Sequence, residues 1–190
     1  MLRREKEKTA ALILTASIIA IQCIIAPVAF PAGLSSVALS QDCTILARLS
    51  YPFFHASFLH AILNCWVLLC IVFYYNIGIG SILLSYLVAI TVPTCHFSLF
   101  TFHFSLASAP TVGLSAVEFC LLGMTSWTVR RKLYYHCWIA AFIALGFLLP
   151  NLCSAYGIIV AAPNNFLHIY CYVVGLLVGF LNAPAPWQRK

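Results

Sequence analysis

Residues 111–123 read Thr-Val-Gly-Leu-Ser-Ala-Val-Glu-Phe-Cys-Leu-Leu-Gly and open an apolar segment with a Gly-x-Ser turn. Small residues are common in membrane helices, where they let neighbouring backbones approach closely. Ser115 is therefore either a helix-packing residue or a nucleophile held at a helix start. The second interpretation requires the rest of the chain to supply a general base and an oxyanion site.

The composition of the chain is that of an integral membrane protein. Of its 190 residues, 63% are hydrophobic and only 7% are charged, whereas soluble domains have about 25% charged residues. This length accommodates about six spans of roughly 20 residues with short loops. The apolar runs are too long and too continuous for barrel strands of about 10 alternating residues. We therefore predict an all-α membrane protein with a single domain over residues 1–190.

The apolar runs predict six transmembrane helices, at about residues 9–30, 56–75, 81–95, 113–128, 134–149 and 166–182. Segments 96–110 and 150–165 are predicted as loops, the first of them partly embedded in the membrane. The first apolar run resembles a signal peptide. However, it is longer than a signal core of about 7–15 residues and lacks a small-x-small cleavage site, so we interpret it as the first span.

The basic residues predict the orientation of these spans. With the N-terminus inside and six spans, every Lys and Arg except Arg48 lies on the cytoplasmic side, in agreement with the positive-inside rule. Both termini are then cytoplasmic, and spans two, four and six begin near the outer face. The net charge of +6 comes from clusters between the spans, so nucleic acid is not a predicted partner.

The cysteine and histidine patterns do not indicate a metal site. The nine cysteines are scattered without a Cys-x-x-Cys pair, and we interpret them as small buried side chains. His55 and His60 are five residues apart, about 140° around a helix, which is a poor arrangement for one metal ion. The chain also lacks a His-Glu-x-x-His motif. We predict that the protein binds no metal and needs no cofactor.

Ser115 lies at the predicted start of span four. A helix start presents free N–H groups and the positive end of the helix dipole. These groups stabilise anions, including the oxyanion of acyl transfer. Gly113 allows the tight turn that an exposed nucleophile needs at this position.

His168 lies at a comparable depth in span six and is the candidate general base. Small residues follow it at helical spacing, namely Cys171, Gly175 and Gly179. Gly123 lies on the same face of span four as Ser115. Close packing of these two faces would place His168 next to Ser115, as a base next to its nucleophile.

Spans two and four supply further polar groups. His60 and Asn64 are four residues apart and share a helix face, and both side chains are suitable donors to an oxyanion. No carboxylate is placed as the third member of a triad, so the sequence predicts a Ser–His dyad. Glu118, three residues after Ser115, has three interpretations: a tie to a neighbouring helix, a residue that lines a water cavity, or a group that tunes catalysis.

Three motifs, in this order along the chain, resemble those of the rhomboid intramembrane serine proteases. They are His55-x4-His60-x3-Asn64 on span two, Gly113-x-Ser115 with Gly123 on span four, and His168-x6-Gly175 on span six. The resemblance covers essentially the whole chain. It implies the six-span core of the bacterial members, with no extra domain.

The resemblance also implies the roles of the central residues. Ser115 would be the nucleophile and His168 its base, with the aromatic ring of Phe119 packed on that base. His60, Asn64 and the backbone N–H of Ser115 would form the oxyanion hole. The substrates would be single transmembrane helices, cut near the outer interface.

Further family features map onto this chain. Gly113, His55 and Gly175 would support the site, and the loop before span six, about 150–165, would form a lid over it. The implied location is the inner membrane of a bacterial cell, with the active site toward the outer face. The implied partners are transmembrane protein substrates and the lipid bilayer.

The chain departs from the family pattern at three points. Ala116 stands where a glycine usually follows the serine, which is a mild change. Cys171 stands where the span-six motif usually has glycine, and its larger side chain predicts a slightly wider separation of spans four and six. The first outer loop lacks the Trp-Arg pair that anchors it in many members.

Two other functions fit part of the pattern. One is a catalytically inactive relative that binds and escorts membrane proteins, although such relatives generally lack either the serine or the histidine. The other is a haem protein with His60 and His168 as facing ligands, which would leave the serine motif unexplained.

Overall fold

A computed structural model describes residues 2–29, 36–75, 77–93, 96–99, 102–105, 110–129, 132–156 and 164–182. The helices are α1 (Leu2–Ala29), α2 (Ile45–Ser50), α3 (Phe58–Tyr75), α4 (Ile79–Ile90), α5 (Ser115–Thr125), α6 (Lys132–Ala155) and α7 (Asn165–Asn182). A 3-10 turn, Tyr51–Phe53, follows α2, and two short strands, β1 (His96–Leu99) and β2 (Phe102–Ser105), lie between α4 and α5.

Three of the helices are long and apolar enough to cross a membrane. They are α1 over Glu5–Ile24, α3 and α7, while α4, α5 and part of α6 are shorter apolar helices. Their outward faces carry large hydrophobic side chains such as Phe58, Trp66 and Leu177. Such a surface is stable in lipid and not in water. The prediction of a bundle of apolar helices is confirmed.

Helix α5 forms the centre of the bundle. Most of its side chains are buried, and it packs most extensively against α7, with α4 and α3 on other sides. The contact with α7 is backbone to backbone: a Cβ at Gly123 would collide with the carbonyl oxygen of Tyr172, and one at Gly175 with that of Cys120. The small residues on the two predicted faces therefore meet, as their helical spacing predicts.

The ends of several helices differ from the predicted spans. Helix α1 begins at Leu2 and not near residue 9, because its charged first turns continue the helix beyond the apolar run. Helix α6 continues to Ala155, so the predicted loop start at Pro150 is wrong. Proline removes only one helical hydrogen bond, and an apolar surrounding favours the helix for all the other backbone groups. Residues 157–163 of the expected lid lie outside the described residues.

The segment predicted as a partly embedded loop contains a β-hairpin instead. Strands β1 and β2 pair antiparallel, with Phe97 opposite Phe104 and Ser98 opposite His103. Each position of the ladder therefore pairs two apolar residue types or two polar ones. The alternation in His-Phe-Ser-Leu and Phe-His-Phe-Ser, residues 96–99 and 102–105, explains the pairing register.

Candidate active site

The turn before α5 is shaped by Gly113. Its φ is +119°, a conformation that is open to glycine and strained for other residues. A Cβ at this position would lie 2.8 Å from Cε1 of His60 and 3.1 Å from Nδ2 of Asn64. Its N–H donates to the carbonyl oxygen of Tyr51 at 3.1 Å. Only glycine can therefore make this turn and leave room for the polar groups of α3 beside it.

The structure brings Ser115 and His168 into contact. Ser115 is the first residue of α5, and its Oγ lies 2.9 Å from Nε2 of His168, which is hydrogen-bond distance. His168 lies in the first turn of α7 and is buried. The larger Cys171, one turn deeper in α7 and also fully buried, does not separate the two side chains.

The His168 ring is held by an aromatic stack. The ring of Phe119, one turn after Ser115, lies 4.5 Å from it between centroids, with an interplanar angle of 14°. Stacking against a buried phenyl ring restricts rotation of the imidazole about its side-chain bonds. The same helix therefore carries the hydroxyl and the surface that orients its histidine partner.

A second polar cluster lies beside this pair, at the start of α3. Nδ2 of Asn64 donates to Nε2 of His55 at 3.0 Å and approaches Nε2 of His60 at 3.4 Å. The rings of His55 and His60 meet edge to face, with centroids 5.0 Å apart. Because Gly113 packs against His60 and Asn64, this cluster lies directly against the turn that carries Ser115.

His55 is a neutral acceptor in this cluster. It precedes α3 and is only 2% exposed. Burial, together with the neighbouring His60, lowers the pKa of His55 to about 4, because removal from water disfavours the charged imidazole. A neutral ring can accept from Asn64 at Nε2 and thereby fix the orientation of the amide.

The segment between α1 and α3 is anchored by residues that the sequence did not single out for this role. Nη1 of Arg48 donates to the carbonyl oxygens of Val92 at 2.6 Å and Ile90 at 3.3 Å. The hydroxyl of Tyr51, which is fully buried, donates to the carbonyl oxygen of Ala89 at 2.9 Å. These bonds satisfy carbonyls in the last turn of α4 and, at Val92, just beyond its end. The one indication of this role in the sequence is that Arg48 is the single basic residue predicted to lie outside the cytoplasmic clusters.

Glu118 is buried in the middle of the bundle. It is 4% exposed, and its Oε1 has no hydrogen-bond partner among the described residues. The Nε2 of Gln22 on α1 is likewise buried without a partner in the described chain, although its Oε1 accepts from the Cys65 thiol at 2.8 Å. Among the described residues, Oε1 of Glu118 therefore does not form the expected hydrogen bond to a neighbouring helix.

The other three histidines belong to other elements of the chain. Nδ1 of His136 on α6 lies 2.7 Å from the hydroxyl of Tyr172, while His96 and His103 belong to the hairpin strands. Within the parts of the chain that the structure describes, no group of three or more His, Cys, Asp or Glu side chains is arranged to hold a metal ion.

The apolar helices and the polar site define a helical membrane protein with a Ser–His pair inside its bundle. The chain matches the Rhomboid domain over residues 43–185, which is well over half of its length, and it belongs to the rhomboid family. It is an integral membrane protein. The chain matches no curated protein and no solved structure. Rhomboid-domain proteins are generally intramembrane serine proteases, and catalytically inactive homologues also exist.

Proposed function

We propose that this protein is an intramembrane serine endopeptidase in which Ser115 and His168 form the catalytic dyad. The observation that carries the proposal is the 2.9 Å distance between Ser115 Oγ and His168 Nε2. A serine hydroxyl is a weak nucleophile until a base accepts its proton. An inactive escort protein would not need a serine and a histidine in this contact.

In the proposed first step, Oγ of Ser115 attacks the carbonyl carbon of the scissile peptide while His168 Nε2 accepts its proton. The resulting oxyanion is stabilised by the backbone N–H of Ser115, at the start of α5, with donors from Asn64 and His60. In the free site the Asn64 amide donates to histidine nitrogens. Formation of an oxyanion therefore requires the amide to exchange one of these acceptors for the substrate oxygen.

The second half of the reaction uses the same groups in reverse. Protonated His168 donates to the leaving amine, and the peptide C-terminal to the cut departs. A water molecule then attacks the acyl-enzyme ester at Ser115 with His168 as its base, and the second product is released. The stack on Phe119 keeps the imidazole in one orientation through both proton transfers.

The proposed substrates are transmembrane helices cut near the outer face of the membrane. We place α1, α3, α4, α5, α6 and α7 as six spans, with both termini cytoplasmic and the site toward the outer face of a bacterial inner membrane. This orientation follows from the basic clusters at 3–8 and 130–132 and the positive-inside rule.

The contact between Ser115 and His168 also favours acyl transfer over haem ligation. Nε2 of His168 is engaged by the hydroxyl of Ser115, so this nitrogen is not left available as a ligand to haem iron.

A serine-directed fluorophosphonate probe tests the dyad. The purified protein in lipid nanodiscs should be labelled, and Ser115→Ala and His168→Ala should each abolish labelling. Ser126→Ala is the matched control, because it removes a buried hydroxyl at the other end of α5 and should label as the unmodified protein does. Equal labelling of all four proteins would contradict the proposal.

A further inference from the structure

Asn164 caps the helix that carries His168. Its Oδ1 accepts from the backbone N–H of Leu167 at 3.0 Å, and its carbonyl oxygen accepts from the backbone N–H of His168 at 3.1 Å. A side-chain oxygen that bonds the N–H three residues ahead is the usual N-cap arrangement. Asn164 therefore fixes the first turn of α7, and with it the backbone of the histidine.

The same side chain reaches the segment that leads to Ser115. Nδ2 of Asn164 donates to Oγ1 of Thr111 at 3.0 Å. Thr111 is four residues before Ser115, and its backbone pairs with Leu39 in both directions, at 2.8 and 3.0 Å. One asparagine therefore joins the start of α7 to a short two-stranded bridge that fixes the approach to α5.

This bond lies at the opposite end of the helix pair from its glycine contacts. Gly123, at the deeper end of α5, packs against the backbone of α7, but one region of close contact leaves two helices free to splay at their other ends. The Thr111–Asn164 bond is a second fixed point on the side where Ser115 meets His168. Catalysis is sensitive to such geometry, because a displacement of about 1 Å can lower a rate by about 100-fold.

We propose that Thr111 and Asn164 are positioning residues that hold the starts of α5 and α7 at the separation required by Ser115 and His168. The proposal rests on the proposed function, because it assigns these residues to the same reaction. The bond between Thr111 and Asn164 joins the segments that lead into α5 and α7 and does not include Ser115 or His168. It therefore acts on catalysis through the geometry of the two helix starts.

The test is the kinetics of fluorophosphonate labelling of Ser115 in the full chain. Thr111→Val keeps the shape of the side chain and removes its hydroxyl. We expect the maximal labelling rate to fall about fivefold, as loss of a bond of about 1 kcal/mol implies. The probe concentration at half-maximal rate should not change. Thr111→Ser retains the hydroxyl and should restore the rate.

Thr128→Val is the matched control for loss of a threonine hydroxyl near the far end of α5. Among the described residues, Thr128 Oγ1 donates one turn back to the carbonyl oxygen of Thr125, and its removal should leave the labelling rate unchanged. The final labelled fraction of each variant reports how much of the protein is folded. A positioning effect lowers the rate and not this fraction.

A double variant tests whether the two residues act through one bond. Asn164→Ala should be slower than Thr111→Val, because it also removes the helix cap, and Thr111→Val/Asn164→Ala should be no slower than Asn164→Ala alone. Two results would overturn the positioning role while the proposed function stands. In one, the double variant is slowed by the product of the two single-variant effects. In the other, Thr111→Val is labelled at the rate of the unmodified protein. An unmodified protein that is not labelled at all would overturn both.

Discussion

The imidazole of His168 lies nearly parallel to the ring of Phe119, with centroids 4.5 Å apart and planes inclined by 14°. Phe119 is one helical turn after Ser115, so the residue that orients the base and the residue that uses it belong to the same rigid helix. The distance between Ser115 Oγ and His168 Nε2 therefore depends on how α5 and α7 pack and on how this ring is held.

Loss of the stack should slow the reaction without unfolding the protein. Phe119→Leu keeps an apolar side chain but removes the flat surface, and the labelling rate of Ser115 should fall about two- to twelvefold, since aromatic pairs contribute about 0.5–1.5 kcal/mol. Phe119→Tyr keeps the ring and serves as the control. A rate for Phe119→Leu equal to that of the unmodified protein would show that the stack does not orient His168.

The glycine contact between α5 and α7 should not tolerate a methyl group. Gly175→Ala would drive its Cβ into the backbone of Cys120, so we expect a loss of about 1–3 kcal/mol in the free energy of unfolding. Gly80→Ala is the control, because a Cβ there meets nothing within 4 Å. Thermal unfolding in nanodiscs measures both. If the two variants unfolded at the same temperature, the close approach of the two helices would be wrong.

The free energy of unfolding should fall as the pH drops below neutrality, because His55 is buried in its neutral form. The folded protein binds a proton at His55 only near its pKa of about 4, whereas the unfolded chain does so near 6.5. The contribution of the neutral His55 ring to the free energy of unfolding is therefore complete above about pH 6.5 and is lost as the pH falls from 6.5 to 4. His55→Gln, which cannot take up a proton, should have a flatter profile of unfolding temperature between pH 7 and 4. An unchanged profile would exclude His55 as the source.

Removal of the buried carboxyl group of Glu118 should stabilise the protein. Its Oε1 has no hydrogen-bond partner among the described residues, and such a buried polar atom costs about 1–3 kcal/mol. Glu118→Leu should therefore raise the unfolding temperature above that of the unmodified protein. Glu118→Gln, which keeps a polar group in the same place, should not. A lower unfolding temperature for Glu118→Leu would mean that the carboxyl group has a partner in the membrane.

The sequence predicts those parts of the molecule that depend on local pattern. The apolar runs predict the helices, and the spacing of Gly123, Gly175 and Gly179 predicts which faces of α5 and α7 meet. Gly113 predicts the turn before Ser115. Each of these follows from composition or from a 3.6-residue period, which a single chain displays directly.

The features that escaped prediction depend on contacts between distant residues. Arg48, Tyr51 and Asn164 hold the loops through hydrogen bonds to backbone carbonyls or to a single hydroxyl, and such bonds leave no periodic pattern. Helix α5 has 11 residues and is shorter than its predicted span of 113–128. Because it is surrounded by protein, its length is set by packing and not by the thickness of the bilayer.

The most direct test of the central claim is proteolysis in a defined membrane. The purified protein, reconstituted in liposomes with a labelled single-span reporter peptide that has small residues near its outer end, should produce two fragments cut near that interface. Ser115→Ala should produce none, and Ser126→Ala should cut as the unmodified protein does. Fragments from Ser115→Ala at the unmodified rate would show that another group performs the reaction and would contradict the account.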